Sequence, residues 1–469
     1  MDQGVWRASR RPAMPDLVVS VRSVDPEGFD RVAKLLVDAG DAPTFAAAHE
    51  LLASYRVQIT AEADACRNPA WQAGLLTAVN AAARAVHGGV RVVLDADPAC
   101  LVPWARGQRL SAALQEFGAT LAVESEAGVA TIAFGSLPLQ GTGDSQAPVV
   151  RPFAGQWVAG VSPVKLVPEL EPPSVLAATL AASIAISETF QWLRGHASAG
   201  DRQVAVSLWD PESGVDGPAI SDLPAGLWLL GLGHLGQAYA WLLTLLPYPS
   251  EGARPLVLQD DDHLSAANRA TGMLHRDERL GMRKTRLTAA VLDPLGWDTS
   301  LLERRYLGGR LYRPGESGVL LGGVDNPQAR RLLDDTGFPV IYDAGLGAGP
   351  DGFLAMTIRR LPGERPSREI WPAVAPAARA VGAAAPAYAA LEAETGDRCG
   401  VELLAGRTVA TSFVGVTAAC WVIGGLLREL HGGKAFSLID YSLRDPARVV
   451  AIEAAGVPAP RLATVPCSS

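Results

Sequence analysis

The sequence predicts an α/β fold in two lobes that divide near residue 200. Three observations predict it. Short apolar runs of strand type alternate with longer helical runs along most of the 469 residues. A glycine-rich turn, Gly231-Leu-Gly233-His-Leu-Gly236, joins one such run to an apolar helix. Asp260 and Asp325 each close an apolar run that follows, the place where an open parallel sheet presents its ligands.

The first lobe, residues 1–200, reads in order as follows. LVVSV (17–21) and VRVVLDA (90–96) have the composition of buried strands, and NPAWQAGLLTAVNAAARAVHGG (68–89) that of a long helix stopped by glycine. TLAVES and ATIAFGS are further strands, and SVLAATLAASIAISETFQWLRG (174–195) is a helix of small residues. This lobe has neither a glycine-rich phosphate loop nor a cluster of catalytic residue types. Residues 197–224 are turn-rich and read as a connector.

The second lobe, residues 201–469, opens with GLWLLGLGHLGQAYAWLLTLL: strand, glycine turn, helix. RPLVLQD (strand), TRLTAAVLDPL (helix), GVLLGGVD (strand), NPQARRLLDDT (helix) and FPVIYDAG (strand) follow. Residues 362–398, rich in Ala, Pro and Arg, are expected to form a mobile crossover loop. A second small-residue helix (408–430) and the strand AFSLIDYS complete the lobe. Each half thus ends on a long Ala/Gly-rich helix closed by a Leu-Arg pair and a glycine, a hint of internal duplication.

Composition narrows the function classes. The net charge is −8, and no long basic run is present, which argues against a nucleic-acid partner. Apolar residues make up 48%, enough for a large core. Five scattered cysteines without a CxxC pair exclude a Cys-rich zinc site and a disulfide framework. The N-terminus has no signal-peptide pattern, so the expected compartment is the cytoplasm. Residues 408–427 are uncharged over the length of a membrane span, but their Thr, Ser, Gly and Ala content favours a buried helix, and no membrane partner is expected.

A glycine loop between strand and helix lets the backbone approach a phosphate, and the N–H groups of the helix start attract its charge. Asp260 lies 24 residues past Gly236, at the place of a ribose-binding acid. NAD, FAD and ATP all use this Rossmann-like arrangement. Downstream, VLQDDDHLSAANRATGMLHRDERLGMRKTRL, then GGVDNPQARRLL, then the segment from Cys399 through the closing helix keep a fixed order and spacing. Over residues 222–445 the sequence resembles the ThiF/MoeB and ubiquitin-activating enzyme superfamily.

The resemblance implies a ThiF-type adenylation domain that binds ATP and Mg²⁺. Gly231, Gly233 and Gly236 would cradle phosphate, Asp260 would hold the ribose, Asn268 would lie near the phosphates, and Asn326 would stand beside Asp325 in the nucleotide site. Lys284 would offset charge on the α-phosphate. Asp325 would hold the magnesium ion. Cys399 falls where many members carry a cysteine that accepts an acyl group. The family's arginine position is occupied by Thr271, which leaves Arg269 as the nearest guanidinium. His234 stands where the family has another glycine, and the family's paired CxxC zinc site is missing.

Each of these residues has a plainer reading as well. Lys284 also reads as a solvated helix-start lysine, Asp325 as an N-cap for NPQARRLL, and Cys399 as an ordinary loop cysteine beside Arg398. Asp261 and Asp262 read as solvated loop charges, and Arg330 and Arg331 as a helix face. The family works in pairs, so the first lobe is expected to be a degenerate adenylation-type half. Arg7, Arg10 and Arg11 are its candidates for an arginine reaching the phosphates.

The function this implies is ATP-dependent adenylation of the C-terminal carboxylate of a small ubiquitin-like protein or peptide. Thioester formation on Cys399 and hand-off to an acyl-accepting partner would follow. An NAD(P)-dependent oxidoreductase and a non-catalytic scaffold of the same fold are the alternatives. Oligomeric state stays open between a fused pair acting alone and a homodimer.

Overall fold

Parallel strands covered by helices on both faces are rich in apolar residues, and the central strands of the two sheets here, such as Leu227–Leu230 and Val319–Gly322, are. The computed structural model describes residues 24–135, 147–164, 170, 172–252, 254–373, 386–454 and 462–468. The first sheet has seven strands: β1 (Val57–Ala61), β2 (Val90–Leu94), β3 (Ala119–Ala122), β4 (Thr131–Phe134), β5 (Val149–Ala154), β6 (Val158–Ser162) and β7 (Val204–Ser207). Their order is β3-β2-β1-β4-β5-β6-β7. The first five run parallel, and β6 and β7 add on antiparallel.

β8 (Asp222–Pro224) lies outside both large sheets. The second sheet has eight strands: β9 (Leu227–Leu230), β10 (Arg254–Gln259), β11 (Trp297–Leu302), β12 (Val319–Gly322), β13 (Val340–Leu346), β14 (Ala355–Leu361), β15 (Phe436–Ser442) and β16 (Val449–Glu453). Their order is β11-β10-β9-β12-β13-β14-β15-β16. The first five are again parallel and the last three antiparallel. Taken in sequence order within each lobe, the two sheets therefore repeat one strand order. β17 (Thr464–Pro466) returns to pair with β8.

Four helices fill the space between the sheets. Asn68 caps the helix Pro69–Ala85, accepting from Ala70 N at 2.9 Å and Trp71 N at 3.2 Å, with proline at its first position. Ser174 caps Val175–Leu193 in the same way. These two meet His234–Leu245 and Ser412–Leu430 of the second lobe. Small residues permit close approach: a Cβ on Gly74 would stand 3.1 Å from the Ala178 carbonyl oxygen. Hydrogen bonds cross the lobe boundary from Trp241 Nε1 to Thr77 Oγ1 (3.0 Å), between Ser183 and Thr417 hydroxyls (2.9 Å) and from Ser412 Oγ to Ala81 O (3.1 Å). Val175–Leu193 and Ser412–Leu430 are long and apolar enough to cross a membrane, yet both are buried inside the fold.

Three sequence expectations change. Val204–Ser207 is β7, within the stretch expected to be a connector, so the first sheet runs past residue 200. The residues involved, VAVS, are too few to show a period among turn signals. Within 362–398, expected to be a mobile loop, Ser367–Ile370 and Pro386–Thr395 are helical. The helix expected from NPQARRLLDDT spans only Pro327–Arg330, followed by a short 3₁₀ turn at Asp334–Thr336. The run LVVSV (17–21) lies outside the described residues.

Candidate active site

The glycine loop is shaped by backbone that tolerates no side chain. Gly231 has φ = 85°, and a Cβ there would lie 2.9 Å from Gly323 C and Val324 N. A Cβ on Gly236 would come within 2.0 Å of the Gly231 oxygen, whereas one on Gly233 would meet nothing within 4 Å. The loop is thus packed at both ends and open in the middle, at the residue that starts the helix His234–Leu245. Gly236→Ala is expected to lower stability by about 1–3 kcal/mol through overpacking and to abolish nucleotide binding. Thermal unfolding and calorimetry read the two effects separately.

The first lobe closes the equivalent connection. After β1 the chain forms the short helix Ala63–Arg67. A Cβ on Gly135, just past β4, would stand 2.2 Å from the Glu62 carboxyl carbon. The corresponding turn is therefore filled by side chain where the second lobe leaves space.

Asp260 sits at the end of β10 under the loop. Its Oδ2 accepts from Leu232 N (2.5 Å) and its Oδ1 from Asp262 N (2.7 Å). Burial raises its carboxyl above the ordinary value, opposed first by the Lys284 charge. Lys284 is buried at the start of the helix Lys284–Leu292, and its Nζ pairs with Asp262 Oδ2 at 2.7 Å. Asp262, read from sequence as a solvated charge, is thus the lysine's partner. Asp261 pairs with Arg305 at 3.2 Å.

Asp325 and Asn326 are exposed just beyond β12. The N-cap of the helix Pro327–Arg330 is Asn326, whose Oδ1 accepts from Gln328 N at 2.8 Å. Asp325 is therefore free of the capping role, and its carboxylate accepts no hydrogen bond from the described residues. Its charge acts on Arg31 of the first lobe from beyond ion-pair distance. Arg31 opens the helix Arg31–Asp38 and donates to Thr408 through Nη1, at 3.1 Å to Oγ1 and 3.4 Å to the carbonyl. Burial lowers its pKa, Glu27 raises it, Arg407 lowers it and Asp325 raises it.

Residues 24–31 link the first lobe to this edge of the second. Ser265 Oγ donates to Glu27 at 3.0 Å, Ala267 N donates to the Glu27 carbonyl at 2.7 Å, and Arg407 pairs with the Glu27 carboxylate. Asn268 completes a capping box, its Oδ1 accepting from Ser265 N at 2.9 Å. Arg269 is turned to Asp277, with Nη2 and Nε at 2.8 and 3.1 Å from one carboxylate oxygen. Its carbonyl, with those of Met273 and His275, accepts from the buried Arg84 of the first lobe. Thr271 is buried. Cys399 is exposed at the second position of the helix Arg398–Ala405, and Arg398 pairs with Glu402 at 3.2 Å. Arg7, Arg10 and Arg11 lie outside the described residues.

His234 packs on the closing helix, where a Cβ on Gly415 would lie 2.4 Å from His234 Nε2. That nitrogen is buried without a hydrogen-bond partner. Burial pushes the imidazole down to about 4, with the Arg31 charge adding to the fall and the backbone of Thr411 and Ser412 opposing it. A histidine whose pKa is depressed in the native state adds stability that is complete above about pH 6.5 and is lost as pH falls towards 4. The loss reaches up to about 3 kcal/mol at about 1.4 kcal/mol per pKa unit. His234→Gln is expected to flatten that part of the stability–pH curve in urea unfolding; an unchanged slope would show that the ring is not desolvated.

The sequence loop, Asp260, Lys284 and Asp325 thus fall along one edge of the second sheet, joined there by Asp262, Glu27 and Arg31. Arg31 and Glu27 left no signal in the linear sequence, since their partners lie more than 230 residues away. All five cysteines are free thiols.

Two family models match this chain. The BilD N-terminal domain family matches residues 56–208 and the BilD C-terminal domain family matches residues 223–433. The bacterial E1-like protein BilD of Collimonas sp. (strain OK412) is 37% identical over 425 residues, covering 89% of this chain and 92% of that protein. Among solved structures, PaaA overlaps at 15% identity with a TM-score of 0.33. Escherichia coli MccB, crystallised with MccA-N7isoASN, overlaps at 14% and 0.34. Both overlaps span 49% of this chain and 64% of the other, under two thirds of its length. With a relative this similar along nearly its whole length, the chain belongs to the BilD family of bacterial E1-like proteins.

Proposed function

We propose that this protein adenylates the C-terminal carboxylate of a small ubiquitin-like protein or peptide, using ATP and releasing pyrophosphate. One observation carries the reading. The open glycine loop, the Asp260–Lys284–Asp262 group and the unbonded Asp325 carboxylate share one edge of the sheet, and the Asp325 charge acts on Arg31 of the first lobe. Phosphoryl chemistry of this kind needs little from the protein beyond positioning and charge.

The backbone N–H groups from Gly233 onward bind phosphate, and Asp260, tied to the loop through Leu232 N, lies where the ribose hydroxyls fall. Lys284 holds positive charge at the α-phosphate as the carboxylate oxygen attacks. Asp325 fits a magnesium site: its carboxylate is exposed and unbonded, and Mg²⁺ commonly takes one or two carboxylates with the rest of its shell from phosphate and water. No cluster of three or more metal-ligating side chains occurs among the described residues, so such a site depends on the nucleotide. When bound, the ion neutralises phosphate charge.

Arg31 supplies the second cation. Arg269 is held by Asp277, and Thr271 cannot replace a guanidinium. The first lobe then acts as a degenerate partner half, a reading supported by the repeated strand order and by the filled turn at Glu62 and Gly135. Cys399 takes the acyl group as a thioester before transfer to an acceptor. Free thiols throughout suit a reducing cytoplasm.

Calorimetry against MgATP and NADH tests the nucleotide, and only the first is expected to bind. Cys399→Ala is expected to leave pyrophosphate exchange unchanged while removing a thiol-sensitive conjugate on gels. Loss of exchange in a folded Cys399→Ala protein would contradict this division of roles. The pairing of Arg269 with Asp277 favours a second reading, a non-catalytic E1-like scaffold, which predicts partner binding without exchange.

A further inference from the structure

The same edge of the second sheet holds a cavity of about 260 Å³ that the nucleotide reading does not use. Register places it beside the loop. Leu230 of β9 pairs with Gly322 of β12, Gly322 with Asp343 of β13, and Asp343 with Arg359 of β14. Arg330, Asp343, Gly345, Thr357, Arg359 and Trp371 are among its lining residues. The volume falls below the roughly 300–1,000 Å³ of pockets for drug-sized ligands and suits a group the size of a side chain.

Its polar groups are incompletely matched. Asp343 is 1% exposed. Its Oδ2 lies 3.4 Å from Arg330 Nε, while its Oδ1 is buried with no hydrogen-bond partner. Arg330 is otherwise committed to the Ala344 carbonyl through Nη2 at 2.6 Å. Arg359 lies 5.9 Å over the Trp371 ring, and its guanidinium donates to no described residue. Among the lining residues two cations stand against one carboxylate, and outside the lining Asp440 of β15 is the charge that most favours the Arg359 cation. Asp343 Oδ1 packs against β12, where a Cβ on Gly322 would stand 2.6 Å from it, so the group left to a ligand is the Arg359 guanidinium. Burial raises the Asp343 carboxyl to about 6 against the opposing Arg330 and Arg359 charges.

We propose that this cavity binds a carboxylate of the acyl substrate. Arg359 receives the carboxylate, and Trp371 packs against the carbons beside it. This rests on the adenylation reading for what the substrate is. The carboxylate has two sources, an acidic side chain near the terminus or the terminal carboxylate held before attack, and the test separates them.

Calorimetry on the full chain without nucleotide uses three short acetylated peptides. One has a glutamate and an amidated terminus, one has a free terminal carboxylate and no acidic side chain, and one has neither. One of the first two is expected to bind, and the third to bind at least about tenfold more weakly, the scale of one charge-assisted hydrogen bond. Arg359→Gln and, as a second variant, Trp371→Leu are each expected to lower the favoured peptide's affinity by about tenfold. The proposal is overturned if the wild type binds none of the three, if the third binds as well as the others, or if both folded variants bind like wild type. A wild type that binds peptide in this pattern but binds no ATP supports the cavity and defeats only the adenylation reading. One that binds ATP but no peptide does the reverse.

Discussion

Lys284→Ala is expected to cut ATP–pyrophosphate exchange by about 100- to 1,000-fold, the usual loss when one preorganised charge at a reacting centre is removed. The lysine is one of only four in the chain and is buried at the base of the glycine loop. Two effects combine in the variant. The α-phosphate loses its cation, and Asp260 loses the charge that most opposes the rise of its pKa. Asp262 is left beside Asp260 without its 2.7 Å partner. Lys284→Met separates the effects of charge and packing: it keeps most of the aliphatic stem, so it should melt near wild type while losing as much exchange as alanine. Near-normal exchange in Lys284→Met would remove the lysine from the chemistry and leave it a structural partner of Asp262.

Arg31→Ala is expected to lower exchange by about 100-fold with little change in melting temperature. Among the described residues the guanidinium makes two hydrogen bonds, both to Thr408 and neither shorter than 3.1 Å. Its charge, by contrast, acts on Asp325 and lowers the His234 imidazole pKa. Arg269→Ala is the matched control. Its guanidinium pairs with Asp277 on an exposed surface, and exposed pairs contribute about 0–1 kcal/mol. A large loss in Arg269→Ala with a silent Arg31→Ala would return the phosphate role to the second lobe and leave the first lobe no part in catalysis.

The second lobe was the more legible in sequence because its signals are local. Gly231, Gly233 and Gly236 occupy one turn between one strand and one helix, and Asp260 and Asp325 close the strands that follow. Their chemistry depends on positions a few residues apart. The residues that join the site from elsewhere were not legible. Arg31 reaches it only because the first lobe packs on the second through four small-residue helices, and nothing near Arg31 in sequence marks that contact. Asp262 looked solvated because its partner lies on the next helix.

Arg330 read as one side of a helix. The helix is only four residues long, and its side chain instead turns to Asp343 across the edge of β13. The shared strand order of the two lobes was visible only as two similar helix ends, since β1 is followed by no glycine turn and β7 is a four-residue run lost among turn signals. The loop expected at 362–398 failed for a related reason: alanine-rich sequence has helix propensity, and Pro386 is tolerated at a helix start.

Pyrophosphate exchange into ATP by the full chain, measured with a small protein substrate and with magnesium varied, tests the central claim most directly. The account predicts exchange that requires both the substrate's free C-terminal carboxylate and magnesium, and that disappears in Asp325→Ala while the variant stays folded. Exchange independent of the carboxylate, or no exchange by a wild type that binds the substrate protein, would contradict it.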